Sequence, residues 1–321
     1  LDRAADQSGL FIVLKGIITL ATFTQTAGSL PTGRRRPFSW GKLLVHLVLL
    51  LIGLACVIPM ILVISISLSD ERMVARQGYS LWPIGFTTFA YEYILQQPEQ
   101  ILRAYGVTIF VTAIGTVIGL LLCALLGYAI SRKDYKFSGL LSFYVFFTLL
   151  FNGGIVPFYI LVTRYMGLKD NILVLILPYL VTAWYVLILR TSFAQLPMEL
   201  LDAARIDGAG EWRIFFQIVL PLSKPVLATI GLFFILRYWN DWFLALLFVN
   251  TAALYPLQYL LYVLMANINF LASNPQTTGV PIPAQSARMA MAVLAFGPAL
   301  FSFLLLQKYF VRGITIGGLK G

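Results

Sequence analysis

Ionisable side chains are scarce in this sequence. Charged residues make up 11% of its 321 positions, and it holds one histidine and two cysteines. Cys56 and Cys123 each lie inside an apolar run. That spacing supports neither a disulfide framework nor a zinc set, and both read as small buried hydrophobes. His46, at the start of an apolar run, cannot assemble a multi-histidine metal centre, and no nucleophile–histidine–acid set forms around it. No Gly-x-x-x-x-Gly-Lys-Ser/Thr run occurs, so the chain has no such cradle for the phosphates of ATP. No metal, no cofactor and no catalytic residue of its own is expected. Any energy for work must come from a separate ATPase or from an ion gradient.

What is abundant is apolar. Hydrophobic residues make up 60% of the chain and the mean hydropathy is +0.86, the composition of a polytopic membrane protein. A net charge of +10 would suggest a nucleic-acid partner in a soluble protein. Here the basic residues cluster in short loops beside apolar runs, so membrane topology accounts for them and no nucleic acid is expected.

Residues 1–40 form an N-terminal segment. Its short apolar run, 10–21, is interrupted by Lys15 and Gly16, and a breaker-rich linker with Arg34, Arg35 and Arg36 follows. Residues 41–321 form an all-α membrane domain. Six spans are predicted, at about Leu43–Leu68, Tyr105–Ile130, Leu140–Val162, Ile172–Leu189, Val226–Val249 and Met289–Leu306. Gly115, Gly119 and Gly127 mark a small-residue stripe for close packing in the second. Asn152-Gly153-Gly154 and Pro157 break the third. Between the last two spans, Leu257–Phe270 suits an amphipathic or re-entrant helix rather than a full crossing. Most lysines and arginines fall on one side of this arrangement, which puts both termini in the cytoplasm.

Two polar stretches interrupt the membrane pattern. In the fifth span, Arg237, Tyr238, Trp239, Asn240, Asp241 and Trp242 stand together. Arg237 and Asp241, four apart on a helix, can pair, and such charges should face protein or water rather than lipid. Packing, gating and sugar contact are all open for this cluster. The second stretch is 197–225. Glu199, Asp202, Arg205, Asp207, Glu211 and Arg213 crowd into it, with Leu201, Ala204, Ile206, Ala209, Phe215 and Phe216 as an apolar side. It reads as a helix, a break at Gly208–Gly210, and a second helix ended by Pro221. Such a pair can lie on lipid or present a face to a partner protein. The carboxylates Glu199, Asp202, Asp207 and Glu211 favour the partner.

Asp202-Ala203-Ala204, then Gly208, then Ile218, Leu220 and Pro221 resembles the cytoplasmic loop signature of the membrane subunits of binding-protein-dependent ABC importers. The family's usual first residue is Glu, where this chain has the shorter Asp202. The resemblance implies a type I importer permease fold with an ATPase-docking loop at 194–224. Glu199, Asp202, Ala203, Ala204, Arg205, Asp207, Gly208 and Gly210 would form the contact. It also implies a heterodimer with a second, homologous permease chain and an ATPase dimer that binds ATP and magnesium. An extracytoplasmic solute-binding protein would deliver the substrate for alternating access at the bacterial inner membrane. The C-terminal tail resembles that of sugar permeases, which reaches the ATPase, so Gly317, Gly318 and Lys320 are expected there. Asn152 to Tyr159 and Met166 to Asn171 look like the branch handling complex oligosaccharides. With Arg237 as a carboxylate partner, acidic sugars such as alginate or pectin fragments are expected. An ion-gradient-driven secondary carrier is the alternative; it leaves the docking loop unexplained.

Overall fold

The computed structural model describes residues 40–273 and 283–297, and every regular element among them is helical. The chain divides into two compact units, residues 1–57 and 58–321. Helix α1 (Trp40–Ser67) carries Pro59 inside it. In the first unit Leu44, Leu49, Leu50, Leu51 and Ile52 are all exposed, a contiguous apolar surface that requires lipid or another chain. Cys56, expected to be buried, is exposed as well.

The second unit continues with α2 (Glu71–Gln77), α3 (Phe89–Ile94) and the long α4 (Pro98–Ser131). The last of these begins at Pro98 rather than near Tyr105. Proline is tolerated in a first helical turn, and Ile101 and Ala104 bury the added turns. Among the described residues, only α1 and α4 are long and apolar enough to cross a membrane as single helices, and bent pairs bring the number to at most five.

The third expected span departs most from a straight crossing. Helix α5 (Ser138–Leu150) and α6 (Ile155–Ile160), prolonged by a π turn over Leu161–Tyr165, are bent by 112° from one another. Phe151 is extended and Gly154 takes φ +86°, while Asn152 Oδ1 accepts from the Gly154 amide at 2.8 Å. Asn-Gly-Gly therefore turns the chain instead of kinking a continuous helix. Two 3₁₀ turns, Ile172–Leu175 and Leu177–Tyr179, lead at 45° into α7 (Ala183–Phe193). Then come α8 (Met198–Ile206), α9 (Glu211–Ile214), α10 (Leu220–Leu222) and α11 (Lys224–Trp239), followed by α12 (Phe243–Phe248) and α13 (Leu257–Ser273). The fifth expected span is thus two pieces, α11 and α12. A last helix, α14, occupies 284–297; the remainder of the sixth expected span lies outside the described residues.

Helix α4 is the axis of this unit. A Cβ on Gly115 would come within 2.4 Å of the Tyr238 ring, one on Gly119 within 2.8 Å of Phe234, and one on Gly127 within 3.0 Å of Leu189 Cβ. The stripe read in the sequence is therefore where α11 and α7 press onto α4. Cys123 is buried beside it and donates its thiol to the Leu180 carbonyl at 3.5 Å.

Side chains from distant elements satisfy the free amides at several helix starts and loops. Thr108 Oγ1 on α4 accepts from the Leu257 amide at 2.8 Å. Glu71 accepts from the amides of Gln285 and Ser286 at 3.0 and 2.9 Å, at the start of α14. Asp170, at φ +58°, accepts from the amides of Asn250 and Thr251 at 2.9 and 2.8 Å. Helix starts leave such donors orphaned, and each bond ties two parts of the fold together.

The glycine stripe generates a direct test. Gly115→Leu drives a side chain into Tyr238 and should cost about 1–3 kcal/mol, read as a lower midpoint of thermal unfolding in detergent. Gly106→Leu, on the same helix with open space around it, should leave the midpoint unchanged.

Candidate functional site

The polar stretch folds into α8, a tight turn and a second helical run. The turn is a Schellman cap: the Ala209 amide reaches the Ala204 carbonyl at 2.9 Å and the Gly208 amide the Arg205 carbonyl at 3.0 Å. Gly208 takes φ +79°, and among the described residues, its two chain neighbours aside, no atom lies within 4 Å of where its Cβ would be. Glycine is required there by the left-handed backbone, and the space beside it is open to a partner. The second run does not stop at Pro221. A π turn over Phe215–Val219 precedes α10, and the run ends only at Ser223, whose amide donates to Val219 at 3.0 Å. The widened turn carries the helical path past a proline that has no amide to donate. The stretch from Glu211 to Leu222 is bent by 84° from α11.

The expected apolar side is divided. Leu201, Ile214 and Phe215 are buried, with Ala204 and Ala209 half-buried. Ile206 and Trp212, on either side of the glycine turn, are 87% and 67% exposed. Glu199, Asp202, Ala203, Asp207, Gly208 and Gly210 are exposed as well. An open glycine turn flanked by large apolar groups and carboxylates is the chemistry of a protein-binding surface.

Arg205 faces the other way, into the protein. Its guanidinium meets Asp134 at 2.8 Å, Glu211 at 3.1 Å through Nε, and Asp202 at 3.5 Å. Asp134 is also held by both arms of Arg132, at 2.9 and 2.8 Å. The Tyr128 hydroxyl on α4 donates to Glu211 Oε2 at 2.7 Å. The loop is thereby fastened to the end of α4. Arg132's hydrogen bonds, with those of Arg205, hold the Asp134 carboxyl well below the usual carboxylate range. Burial alone would raise Glu211; hydrogen bonds from Arg205 and Tyr128 outweigh it and lower the group. Tyr128, Arg132 and Asp134 were not legible as loop partners. The one available signal was an acid, Asp134, inside an otherwise basic turn.

The intramembrane cluster separates into roles. Tyr238 is buried and its hydroxyl donates to the Ile176 carbonyl at 2.9 Å. Trp239 is buried and its indole donates to the Ala295 carbonyl at 2.9 Å. These two are packing groups. Arg237 is exposed and lies over the Tyr179 ring, 4.0 Å from its centroid, while the Tyr179 hydroxyl donates to Asp241 at 2.8 Å. Among the described residues the expected Arg237–Asp241 ion pair is not formed. Helix α11 ends at Trp239, so the two no longer share a helical face, and the tyrosine bridges them. Asn240 caps back onto the Leu236 carbonyl at 2.8 Å, and Trp242 stacks on Tyr262 with centroids 5.1 Å apart. Among the described residues there is no grouping of three or more metal-ligating side chains. Gly317, Gly318 and Lys320 lie outside the described residues.

If Arg205 and Asp134 act as one unit, Arg205→Gln and Asp134→Asn should each raise amide hydrogen exchange across 198–214. The double variant should exchange no faster than the worse single one, a coupling of about 0.5–3 kcal/mol; additive effects would deny the link. Depressed carboxylates stabilise above their ordinary value of about 4. The attachment should therefore hold through neutral and mildly acidic pH, failing only as pH falls through the lowered values.

The family model described as "Binding-protein-dependent transport system inner membrane component" matches residues 25–316. The chain is 38% identical over 272 residues to Protein LplC of Bacillus subtilis (strain 168), covering 84% of this chain and 91% of that protein. It is 38% identical over 285 residues to the polygalacturonan/rhamnogalacturonan transport system permease protein YtcP of the same organism, covering 87% and 98%. A solved structure of a bacterial ABC transporter involved in the import of the acidic polysaccharide alginate superposes with a TM-score of 0.73. Identity with that structure is 26%, over 85% of this chain and 99% of that one. These matches give one conclusion: the chain belongs to the binding-protein-dependent transport system inner membrane component family.

Proposed function

We propose that this chain is one half of the pathway of an ATP-driven oligosaccharide importer, and that uronate oligosaccharides are its cargo. The observation that carries the reading is the similarity to YtcP, a polygalacturonan/rhamnogalacturonan permease, along nearly its whole length. The likeness to an alginate importer supports the same acidic class. Permease subunits of this family are not enzymes: the ATPase is a separate subunit, and ATP and magnesium belong to it. Family membership removes the ion-gradient carrier.

In this reading the chain crosses the inner membrane six times with both termini cytoplasmic, and pairs with a second permease chain. A solute-binding protein delivers the sugar from outside. The ATPase dimer takes up the exposed turn formed by Glu199, Asp202, Ala203, Asp207, Gly208 and Gly210, with Ile206 and Trp212 as apolar anchors. Ala204 and Arg205 serve from the inner side, by tying the turn to α4. When ATP closes the ATPase dimer, the turn moves and α4 moves with it, together with the helices packed on its glycines. Arg237, Asn240, Asp241 and Trp242 border the path or gate it, around packing residues Tyr238 and Trp239. The C-terminal Gly317, Gly318 and Lys320 reach the ATPase.

Purification of the tagged chain from its native host in gentle detergent should bring an ATPase and a second permease with it. Gly208→Trp should lose the ATPase and keep the permease, because the bulk blocks the open side of the turn. Gly208→Ala, strained by about 1–2 kcal/mol in the left-handed backbone, should keep part of it. Recovery of the native chain without any ATPase would contradict the reading.

A further inference from the structure

We infer that a cavity of about 310 Å³ formed by Trp242, α13 and α14 is a saccharide site, and that Arg288 within it pairs with a sugar carboxylate. The inference rests on the oligosaccharide reading above and names the contact that would make it acidic. The volume is at the lower end of small-molecule sites, about 300–1,000 Å³. Trp242 and Tyr262 line it as a stacked pair, 20° from parallel, each about two-fifths exposed at 40% and 41%. Leu261 and Met291 add apolar lining. Rigid aromatic rings with a polar edge suit a pyranose, whose C–H face is apolar and whose rim is hydroxyl.

Three polar groups on the cavity are unengaged. Among the described residues, the Trp242 indole N–H, the Gln258 amide and the Tyr262 hydroxyl have no hydrogen-bond partner. A glutamine amide both donates and accepts, as a sugar hydroxyl does. Arg288 is exposed and donates through one nitrogen to Asn269 Oδ1 at 2.9 Å. The rest of its planar fork is free to bind a carboxylate. No carboxylate lines the cavity among the described residues, so its charge is uncompensated. Arg237 differs: it lies over Tyr179, whose hydroxyl is bonded to Asp241, and its surroundings already answer its charge.

The test uses the assembled transporter, with its ATPase and second permease, in lipid nanodiscs. A galacturonate trimer and the same trimer with its carboxyls reduced to alcohols are titrated without binding protein. Import of both by the complete system, binding protein included, is measured in proteoliposomes. Arg288→Gln should weaken binding of the acidic trimer about tenfold or more, one charge-assisted bond's worth, and leave the reduced trimer unchanged. Arg288→Lys should recover part of the loss. Trp242→Leu should weaken both sugars. Equal effects of Arg288→Gln on both sugars, or no effect on either, would overturn the site. Import by the native system with no direct binding would overturn it too, while leaving the importer reading intact. A native system that imports neither sugar would remove the substrate reading and this inference together.

Discussion

How closely other helices can approach α4 is the constraint on which the described structure depends. At Gly115, Gly119 and Gly127 the missing side chains let Tyr238, Phe234 and Leu189 sit where a Cβ would collide. In a bilayer there is little hydrophobic gain from bringing helices together, so close packing of this kind is a main source of association. The same helix caps α13 through Thr108 on one side of the glycines and bonds Glu211 through Tyr128 beyond them on the other. One helix thus connects α13 to the glycine turn after α8.

The glycine turn after α8 faces two ways. Its glycine cap, apolar anchors and carboxylates are exposed, while Arg205 turns inward to Asp134, Glu211 and Asp202. Individually, partly exposed ion pairs contribute little. Arg205 nevertheless bridges carboxylates on three segments, and Asp134 is fixed in turn by a two-armed Arg132. A network of that kind sets position more than stability.

The glycine turn after α8, the glycine stripe and a separate helix at 257–273 were legible in the sequence, because each depends on local spacing. Asp202-Ala203-Ala204 lie on the helix that leads into the turn, and Gly208 has the left-handed φ such a turn needs. What escaped depends on distant contacts. Nothing local to Asp134 discloses that Arg205, far along the chain, shares it. The Arg237–Asp241 pairing failed because it assumed a helix through Trp242, whereas α11 stops at Trp239. The break in the third span was legible from Asn152-Gly153-Gly154; its size, a turn of 112°, was not, since it depends on the left-handed backbone that Gly154 adopts. Arg288 attracted no notice because its aromatic neighbours are brought to it only by folding.

The central claim is that the docking turn and α4 move as one body. Spin labels at Asp207→Cys and Lys133→Cys, in a background without Cys56 and Cys123, report the distance between them by pulsed electron resonance. The assembled transporter would be compared ATP-free and trapped with ATP. The account predicts one unchanged distance distribution in both states, broadened when Arg205→Gln is added. A shift of several ångström between the two states in the otherwise native chain would show the turn moving independently of α4, and would contradict it.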